Sequence, residues 1–445
     1  MTRAPRIAIV GGGLCGSLAG LVLRSRGLNP TLFDAGRRST GGRLLGGRHA
    51  DSGMQFLRAS EPRFAAITHM LAKEGLIAPW VGRFGLLGSQ GGGYLPSEVL
   101  ASTPIGSMMR ETDSGEAGRV DFCGLLGGDT ERHPIYVGTP SNADVLPGLC
   151  RAAGLEVVLG AKLTGAERQA DGDAGADGGG TWRLHFDGVA APPAPFDAVL
   201  LATHDAALAA SVVRSAVLPT LDDAPAAAER LGELADALRA QREQRTAAVY
   251  TWSGYLPVGF SAQLPFDAVA VPGSPAVHFL ARDASKPGRP ALVRMPGAAA
   301  AGDGGASEGA PEGELWTAVS TPEFAARMGA QESLAAGERG DSERGGGTAA
   351  AAAAAMSDEV RRLLAPFAPL PPVRAAAKRW GAGFASGTLG LQEECVSLEP
   401  WRLAIAGDFV AARGAGARSP AEAAALSGME AAERVATWFG AGGQE

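Results

Sequence analysis

Three glycines near the start of the chain have the spacing of a turn that binds a dinucleotide. Gly11, Gly13 and Gly16 form the pattern GxGxxG directly after the apolar residues 7–10. In such a turn the first glycine permits a tight bend, the second lets a pyrophosphate approach the backbone, and the third lets a helix pack close to a strand. Free N–H groups at the start of that helix attract phosphates. The spacing therefore predicts a ligand that contains a pyrophosphate.

An acidic residue follows where such a ligand would place a ribose. Asp34 ends a second apolar segment, residues 31–33, and lies 23 positions after Gly11. A carboxylate at this point can accept hydrogen bonds from two ribose hydroxyls, and so it selects a ribose without a phosphate. Strand, helix, strand and acid in this order predict dinucleotide binding. The alternative is a glycine-rich turn that binds no ligand.

A second glycine turn favours FAD over NAD as the dinucleotide. Gly42 and Arg43, preceded by Arg37, could contact the pyrophosphate or the flavin ring from the opposite side. Late in the chain, Gly407 permits close approach of a ligand, and Asp408 can hold ribityl hydroxyls or a water bound to a phosphate. A simple NAD domain has no need of these features.

The residues after Asp408 predict a helix that begins close to the flavin. Ser419 can cap this helix, Pro420 suits its first position, and Glu422 completes a capping box. The positive end of the helix dipole would stabilise negative charge on the pyrimidine edge of a reduced flavin. The alternative is an ordinary, well-capped terminal helix.

Further residues beside these motifs belong to the predicted FAD site: Leu14, Ala35, Leu163, Thr203, Ala423 and Ala424. Gln55 and Phe56 are predicted at the flavin face, and Trp380 is predicted as a wall of the substrate cavity, with a core aromatic as its alternative role. We assign no catalytic acid or base, because a flavin itself carries the chemistry of hydride transfer. The histidines and cysteines lack the spacing of metal ligands, so no metal is predicted.

These residues need an α/β fold to bring them together. Strands are predicted over residues 7–10, 31–33, 156–159, 182–186, 198–203 and 401–406, and helices over 62–74, 229–242, 322–328, 358–365 and 420–439. Their alternation indicates a Rossmann-type domain with a parallel sheet, and the strand-rich residues 248–295 indicate a mostly antiparallel sheet. The predicted fold is a Rossmann-type FAD-binding domain interleaved with an α+β substrate domain built on the antiparallel sheet.

The same reading divides the chain into discontinuous domains. The FAD-binding domain is predicted at residues 1–75, 136–205 and 373–445, and the substrate domain that covers the flavin at 76–135 and 206–372. Three segments rich in Gly, Ala, Asp, Glu and Ser lack apolar periodicity, and they are predicted to be disordered insertions: residues 169–180, 297–314 and 329–355.

The composition argues against several other classes of protein. The formal net charge of −7 disfavours nucleic acid or an anionic membrane surface as the main partner. No run of about 18 apolar residues is present, so no membrane-spanning segment is predicted. Four cysteines are too few for a disulfide framework and favour free thiols. We therefore predict a cytoplasmic protein, or an organellar one, such as a plastid protein, if a presequence has been removed.

The chain resembles the flavin-containing amine oxidase superfamily, and within it the renalase-like FAD-dependent oxidoreductases. The resemblance extends over nearly the whole chain outside the three insertions. It is carried, in family order, by the segments IAIVGGGLCGSLAGLVLRSRG, FDAGRRSTGGRL, ADSGMQFLRASEPRF, GLIAPW, YVGTPSNADVLPGL, FDAVLLATHDAALAA, AIAGDFV and SPAEAAALSGMEAAERV. The block around Gln55 and Phe56 is more specific than the glycine pattern, which many flavoproteins share.

The resemblance implies a fold and a reaction. It implies noncovalent FAD and an antiparallel sheet that covers the flavin. It also implies that a small reduced substrate, such as a reduced nicotinamide dinucleotide isomer or an amine, gives a hydride to flavin N5, and that oxygen reoxidises the flavin and yields hydrogen peroxide. Nucleic acid is not an expected partner.

Two blocks depart from the family pattern. Met54 and Phe56 stand where the family often has alanine and tyrosine, and Lys378, Arg379 and Trp380 stand where it often has His-Arg-Trp. Both departures concern the expected flavin face, so the substrate stays open. Two alternatives are a flavin-binding protein with an interaction or assembly role and little turnover, and a polyene desaturase or isomerase.

Overall fold

The structure is a computed structural model, and it describes residues 3–46, 50–89, 93–101, 134–169, 180–190, 192, 194–221, 224–295, 311–338, 346–411 and 418–441. In chain order the strands are β1 (Ile7–Val10), β2 (Pro30–Asp34), β3 (Leu57–Arg58), β4 (Ile77–Pro79), β5 (Phe84–Leu87), β6 (Tyr94–Pro96), β7 (Ile135–Gly138), β8 (Glu156–Leu159), β9 (Lys162–Gln169), β10 (Thr181–Asp187), β11 (Ala198–Leu201), β12 (Thr246–Leu256), β13 (Ala268–Ala270), β14 (Val277–Arg282), β15 (Val293–Arg294), β16 (Glu312–Ser320), β17 (Arg374–Ala385), β18 (Val396–Leu398) and β19 (Leu403–Ile405). The helices are α1 (Leu14–Ser25), α2 (Pro62–Lys73), α3 (Ser97–Ala101), α4 (Asn142–Ala152), α5 (Ala206–Val212), α6 (Pro225–Gln244), α7 (Pro322–Glu338), α8 (Gly346–Leu364) and α9 (Pro420–Thr437).

A six-stranded sheet contains the first two predicted strands at its centre. Its order is β18-β19-β11-β1-β2-β8, and every pair is parallel except β18 with β19. β1 and β11 are apolar and buried along their whole length, as in parallel sheets covered on both faces. Helices α1 and α9 cover one face, and the β9–β10 hairpin with α5 covers the other. The predicted Rossmann-type arrangement is confirmed.

A second, mostly antiparallel sheet has the order β17-β12-β16-β14-β13-β5-β6, with β15 also paired to β16. Only the pair β13 with β5 is parallel. Along β12 the side chains alternate between two cores: Tyr250 and Trp252 pack toward α7 and α8, whereas Val249 belongs to a cluster on the opposite face. The antiparallel sheet predicted from residues 248–295 is confirmed. The sheet also contains β5 and β6 from an earlier part of the chain and β16 and β17 from a later part.

The prediction of a disordered insertion over residues 329–355 was wrong for the described part of that segment. Helix α7 extends to Glu338 and α8 begins at Gly346. Ala352 and Ala353 are buried against the second sheet together with Met356. Alanine has the highest helix propensity, and its small side chain lets a helix pack close to a sheet. A run of alanines therefore formed a core helix where its composition had indicated an unpacked segment.

The other two predicted insertions lie largely outside the described residues. This applies to residues 170–179 and 297–310. Strand β16 begins at Glu312, so the end of the second predicted insertion belongs to the antiparallel sheet.

No helix within the described ranges is both long enough and apolar enough to cross a membrane.

The burial of the described cysteines can be tested by chemical labelling. Cys15, Cys150 and Cys395 are buried free thiols. Burial raises the pKa of each, and that of Cys395 reaches about 12. Because the thiolate is the reactive form, we expect these three to resist a thiol reagent at pH 8. A Cys123→Ser variant, which retains only these three cysteines, should show no rapid labelling when native and three labelled thiols in denaturant. Rapid labelling of the native variant would contradict this packing.

Candidate functional site

A cavity of about 930 Å³ lies where the two sheets meet. Residues that follow β1, β2, β11 and β19 line one side, and residues of β12, β16 and β17 line the other. In open α/β sheets, ligands bind outside the carboxyl ends of the strands. The volume is at the upper end of the range for small-molecule and cofactor sites.

Most of the residues predicted to bind FAD line this cavity: Gly11, Gly13, Leu14, Asp34, Ala35, Gly42, Arg43, Gln55, Phe56, Leu163, Thr203, Gly407, Asp408 and Ala424, and Trp380 lines it as well. Gly16, Arg37 and Ala423 are not among its lining residues. Gly16 instead packs α1 on β1, because a Cβ there would lie 1.9 Å from the Gly11 carbonyl oxygen. Arg37 is exposed on the surface.

The glycine turn leaves an opening at the head of α1. Gly11 has φ of +110°, and a Cβ there would lie 2.5 Å from the Ala202 carbonyl oxygen. Gly13 differs, because it has φ of −75° and a Cβ would meet nothing within 4 Å. Gly13 is also the N-cap of α1 and has no side chain to pair with the first N–H groups of the helix. The turn therefore presents unscreened donors to an open space.

Asp34 is held by the backbone of the glycine turn. Its Oδ2 accepts a hydrogen bond from Gly12 N at 2.6 Å, and its Oδ1 accepts one from Gly36 N at 2.6 Å. The carboxylate is nearly buried. Each oxygen retains a second lone pair for a ligand hydroxyl. Asp34 therefore shapes the turn in addition to lining the cavity.

Arg43 and Asp408 are paired with each other across the cavity wall. Two hydrogen bonds of 2.8 and 2.7 Å join the guanidinium to the carboxylate. Burial would lower the pKa of Arg43, but chiefly the charge of Asp408 and its hydrogen bonds together outweigh this and raise it. The pair links the second glycine turn to the end of β19. The sequence predicted a ligand contact for each residue and did not reveal this pairing.

The predicted capping box at α9 is formed only in half. Ser419 Oγ accepts a hydrogen bond from Glu422 N at 3.2 Å, as predicted. The Glu422 carboxylate does not return to Ser419. It accepts hydrogen bonds from Ser60 N at 2.8 Å, Ser60 Oγ at 2.6 Å and Glu61 N at 2.7 Å. These donors precede α2, so the buried carboxylate ties the starts of two helices together and leaves the N-terminus of α9 at the cavity.

The segment around Gln55 is held by hydrogen bonds within the protein. Gln55 is 2 % exposed, and its Nε2 donates to the carbonyl oxygens of Asp51 and Gly53. The carbonyl oxygen of Ser52 accepts hydrogen bonds from Trp380 Nε1 and from Thr251 Oγ1. The amide of Gln55 therefore shapes the loop, and Trp380 serves both as a cavity wall and as an anchor of that loop.

A buried charge cluster lies directly behind this loop. Lys286 Nζ is 3.0 Å from Asp51 Oδ2, 3.3 Å from Gln55 Oε1 and 3.5 Å from Asp283 Oδ1. Arg289 Nη2 donates to Asp51 Oδ1 at 2.6 Å. Lys286 is fully buried, and Asp51 is 1 % exposed. The sequence analysis missed this cluster. Its one signal was a lysine in a strand-rich segment of a chain with only four lysines.

The two carboxylates of the cluster differ in their electrostatics. Burial would raise the pKa of Asp51, but the charges and hydrogen bonds of Lys286 and Arg289 together outweigh it and hold that pKa below its ordinary value. Burial dominates at Asp283, so its pKa is raised despite Lys286. Asp51 is therefore the anion that balances the two buried cations.

His204 also lines the cavity and was not singled out by the sequence analysis. Burial and, secondarily, the charge of Arg43 lower the pKa of His204 below its ordinary value. Its imidazole therefore favours the neutral form at pH 7. Within the described part of the chain, no group of three or more His, Cys, Asp or Glu side chains is arranged to hold a metal ion.

Comparison with known proteins agrees with this geometry. Residues 9–73, which contain the glycine turn and Asp34, match the family described as NAD(P)-binding Rossmann-like domain. No curated protein matches the chain by sequence.

Several solved structures share the whole fold. They include a putative protoporphyrinogen oxidase from Exiguobacterium sp. 255-15 (14% identity, 99% of this chain and 100% of that chain, TM-score 0.59), putrescine oxidase bound to putrescine (14%, 98% and 100%, 0.55) and cyclohexylamine oxidase from Brevibacterium oxydans IH-35A (12%, 98% and 100%, 0.55). At such low identities the likeness shows the fold, and the predicted fold class is confirmed.

The charge cluster generates a stability prediction. Asp51→Asn leaves Lys286 and Arg289 buried without their balancing anion, so we expect it to lower the free energy of unfolding at pH 7 by about 3–5 kcal/mol. Asp283→Asn is the matched control, and we expect at most half that loss because burial already disfavours the Asp283 anion. Urea denaturation of both variants measures the difference.

The stability that Asp51 contributes has a defined dependence on pH. Because the pKa of Asp51 is lowered on folding, its contribution is present above its ordinary value of 3.8 and is lost as the pH falls toward the folded value. The gap between wild type and Asp51→Asn should therefore persist from pH 7 to 5. Equal losses for the two variants would contradict the assignment of Asp51 as the balancing anion.

Proposed function

We propose that this protein is an FAD-dependent oxidoreductase of the renalase-like type that binds FAD noncovalently. The observation that carries the proposal is the opening at Gly13, where the unscreened start of α1 faces a cavity that continues to the second sheet. FAD has a pyrophosphate in its middle, with adenosine on one side and the flavin on the other, and such a ligand suits a cavity of this extent. The shared fold with oxidases supports the proposal.

The residues present fit FAD at several points along the cavity. Gly11 and Gly13, with the N–H groups of α1, would hold the pyrophosphate, and Asp34 would hold the adenosine ribose. Gly42 and the Arg43–Asp408 pair would lie beside the ribityl chain. The N-terminus of α9 lines the cavity and would favour negative charge on the flavin. We assign this binding domain to residues 1–75, 136–205 and 386–445. The predicted third segment began at residue 373, but β17 pairs with β12 in the second sheet.

A bound FAD would supply the hydride acceptor and, through reaction with oxygen, the route of the electrons to hydrogen peroxide. The chain itself would contribute binding, orientation and the exclusion of water. Phe56, Trp380, Val249 and Val319 line the part of the cavity formed by the second sheet, and they would place an apolar wall against the substrate. The hydrogen bond from Trp380 to Ser52 holds that wall in position.

The substrate would be a small reduced molecule, either a dihydronicotinamide isomer or an amine. Putrescine oxidase and cyclohexylamine oxidase are named for amines, and they share the fold of this chain. The test is anaerobic reduction of the purified yellow protein by dihydronicotinamide isomers, primary amines and NADPH, followed by oxygen. Bleaching and recovery with formation of peroxide is the expected result. A protein that cannot be reconstituted with FAD would overturn the proposal, and bound flavin that no compound bleaches would favour an assembly role.

A substitution at Gly13 tests the binding site without disturbing the fold. Gly13→Val adds a side chain in an allowed backbone conformation, and that side chain projects into open space where the pyrophosphate would lie. We expect the FAD content to fall about tenfold or more, while urea unfolding of the apoprotein changes little. The ratio of flavin to protein absorbance measures the content.

Gly232→Val is the matched control. Gly232 lies in α6, and its added side chain would also meet nothing within 4 Å. It is outside the cavity lining, so we expect this variant to retain its FAD. Full FAD content in Gly13→Val would show that the pyrophosphate lies elsewhere.

A further inference from the structure

Lys378 places a positive charge on the cavity wall formed by the second sheet. It lies on β17 opposite Thr251 of β12, and both residues line the cavity. Its Nζ is 3.9 Å from the centroid of the Trp380 ring. Across the ranges that the structure describes, Lys378 forms no hydrogen bond or ion pair with the protein. Its ammonium group lies over the aromatic ring of Trp380.

The four carboxylates among the described residues that line the cavity all have partners within the protein. Asp408 binds Arg43, and Glu422 accepts hydrogen bonds from the residues before α2. Asp34 accepts from the backbone of the glycine turn. Asp205 accepts from Ala207 N and lies 3.8 Å from Arg242. The part of the cavity beside Trp380 therefore has a cation that these four anions leave unbalanced.

Lys378 is exposed and lines the cavity, so a ligand can reach its ammonium group. Partial burial lowers the pKa of Lys378, and among the described residues no carboxylate opposes this effect. An anion bound next to the ammonium would raise the pKa again and gain the Coulomb energy of the pair in a partly desolvated setting. A protonated amine at the same place would be repelled.

We propose that the substrate carries an anionic group, a carboxylate or a phosphate, which Lys378 binds while the apolar part of the substrate packs on Trp380. This inference rests on the proposed function and selects among its substrates: it disfavours amines that are cationic at neutral pH. It makes Lys378 a specificity-determining residue.

The test compares ligands that share a phenyl ring, have similar size and carry opposite charge. Benzoate, phenyl phosphate and benzylamine are titrated into the FAD-loaded protein, and binding is measured by calorimetry and by perturbation of the flavin spectrum, which need no turnover. We expect at least one anion to bind about tenfold or more tightly than benzylamine. The stronger of the two anions identifies the carboxylate or the phosphate as the preferred group.

Three variants assign the effect to Lys378. Lys378→Met should lose the preference for anions, whereas Lys378→Arg should keep most of it because it keeps the charge. Lys73→Met removes an exposed lysine at the end of α2, outside the cavity lining, and should behave as wild type. FAD content is measured in every sample, so loss of FAD, which would count against the proposed function, is distinguished from loss of charge preference.

Several results would overturn the inference. These are benzylamine binding as tightly as the anions, failure of both anions to bind, and an anion preference that survives in Lys378→Met. A shift of the flavin reduction potential in Lys378→Met without any change in ligand preference would also overturn it, because Lys378 would then act on the flavin. In each case the bound FAD would leave the proposed function standing.

Discussion

The cavity depends on a carboxylate that is almost completely removed from water. Burying one ion in a protein costs several kcal/mol, and an ion pair repays this only with close geometry and further hydrogen bonds. Asp51 meets both conditions through Lys286 and Arg289. The two cations follow β14 of the antiparallel sheet, whereas Asp51 leads into the loop that lines the cavity. The electrostatic requirement of one carboxylate therefore holds that loop against the second sheet.

Other long-range contacts have the same character. Arg43 and Asp408 are 365 residues apart in sequence, and Ser60 and Glu422 are 362 apart. Each contact joins a segment near the start of the chain to one near its end. The parallel sheet needs both segments, because β1 and β2 come from the first and β19 from the second. An ion pair and hydrogen bonds to a buried carboxylate thus connect segments that are separated by most of the chain.

The sequence predicts what depends on neighbouring residues and misses what depends on distant ones. The GxGxxG turn, its strand and its helix form a local unit, so the pattern identified both their structure and the cavity beside them. Gln55 and Asp408 both line the cavity, yet their partners Lys286 and Arg43 lie far away in sequence. No local pattern reports such a pairing. The half-formed capping box shows the same limit. The Glu422 carboxylate accepts hydrogen bonds from N–H groups before α2 instead of from the N-cap of its own helix.

The alanine-rich helix α8 has a consequence for how the cavity is shaped. Its buried positions, including Ala352 and Ala353, pack on Trp252 and Trp316 from the side of the second sheet that faces away from the cavity. The opposite side of that sheet carries Val249 and Val319, which line the cavity. Because these residues are alanines, only their methyl groups lie between the backbone of the helix and the sheet. Bulkier residues at these positions would push against the sheet from behind, so residues outside the cavity lining can shift the position of one cavity wall.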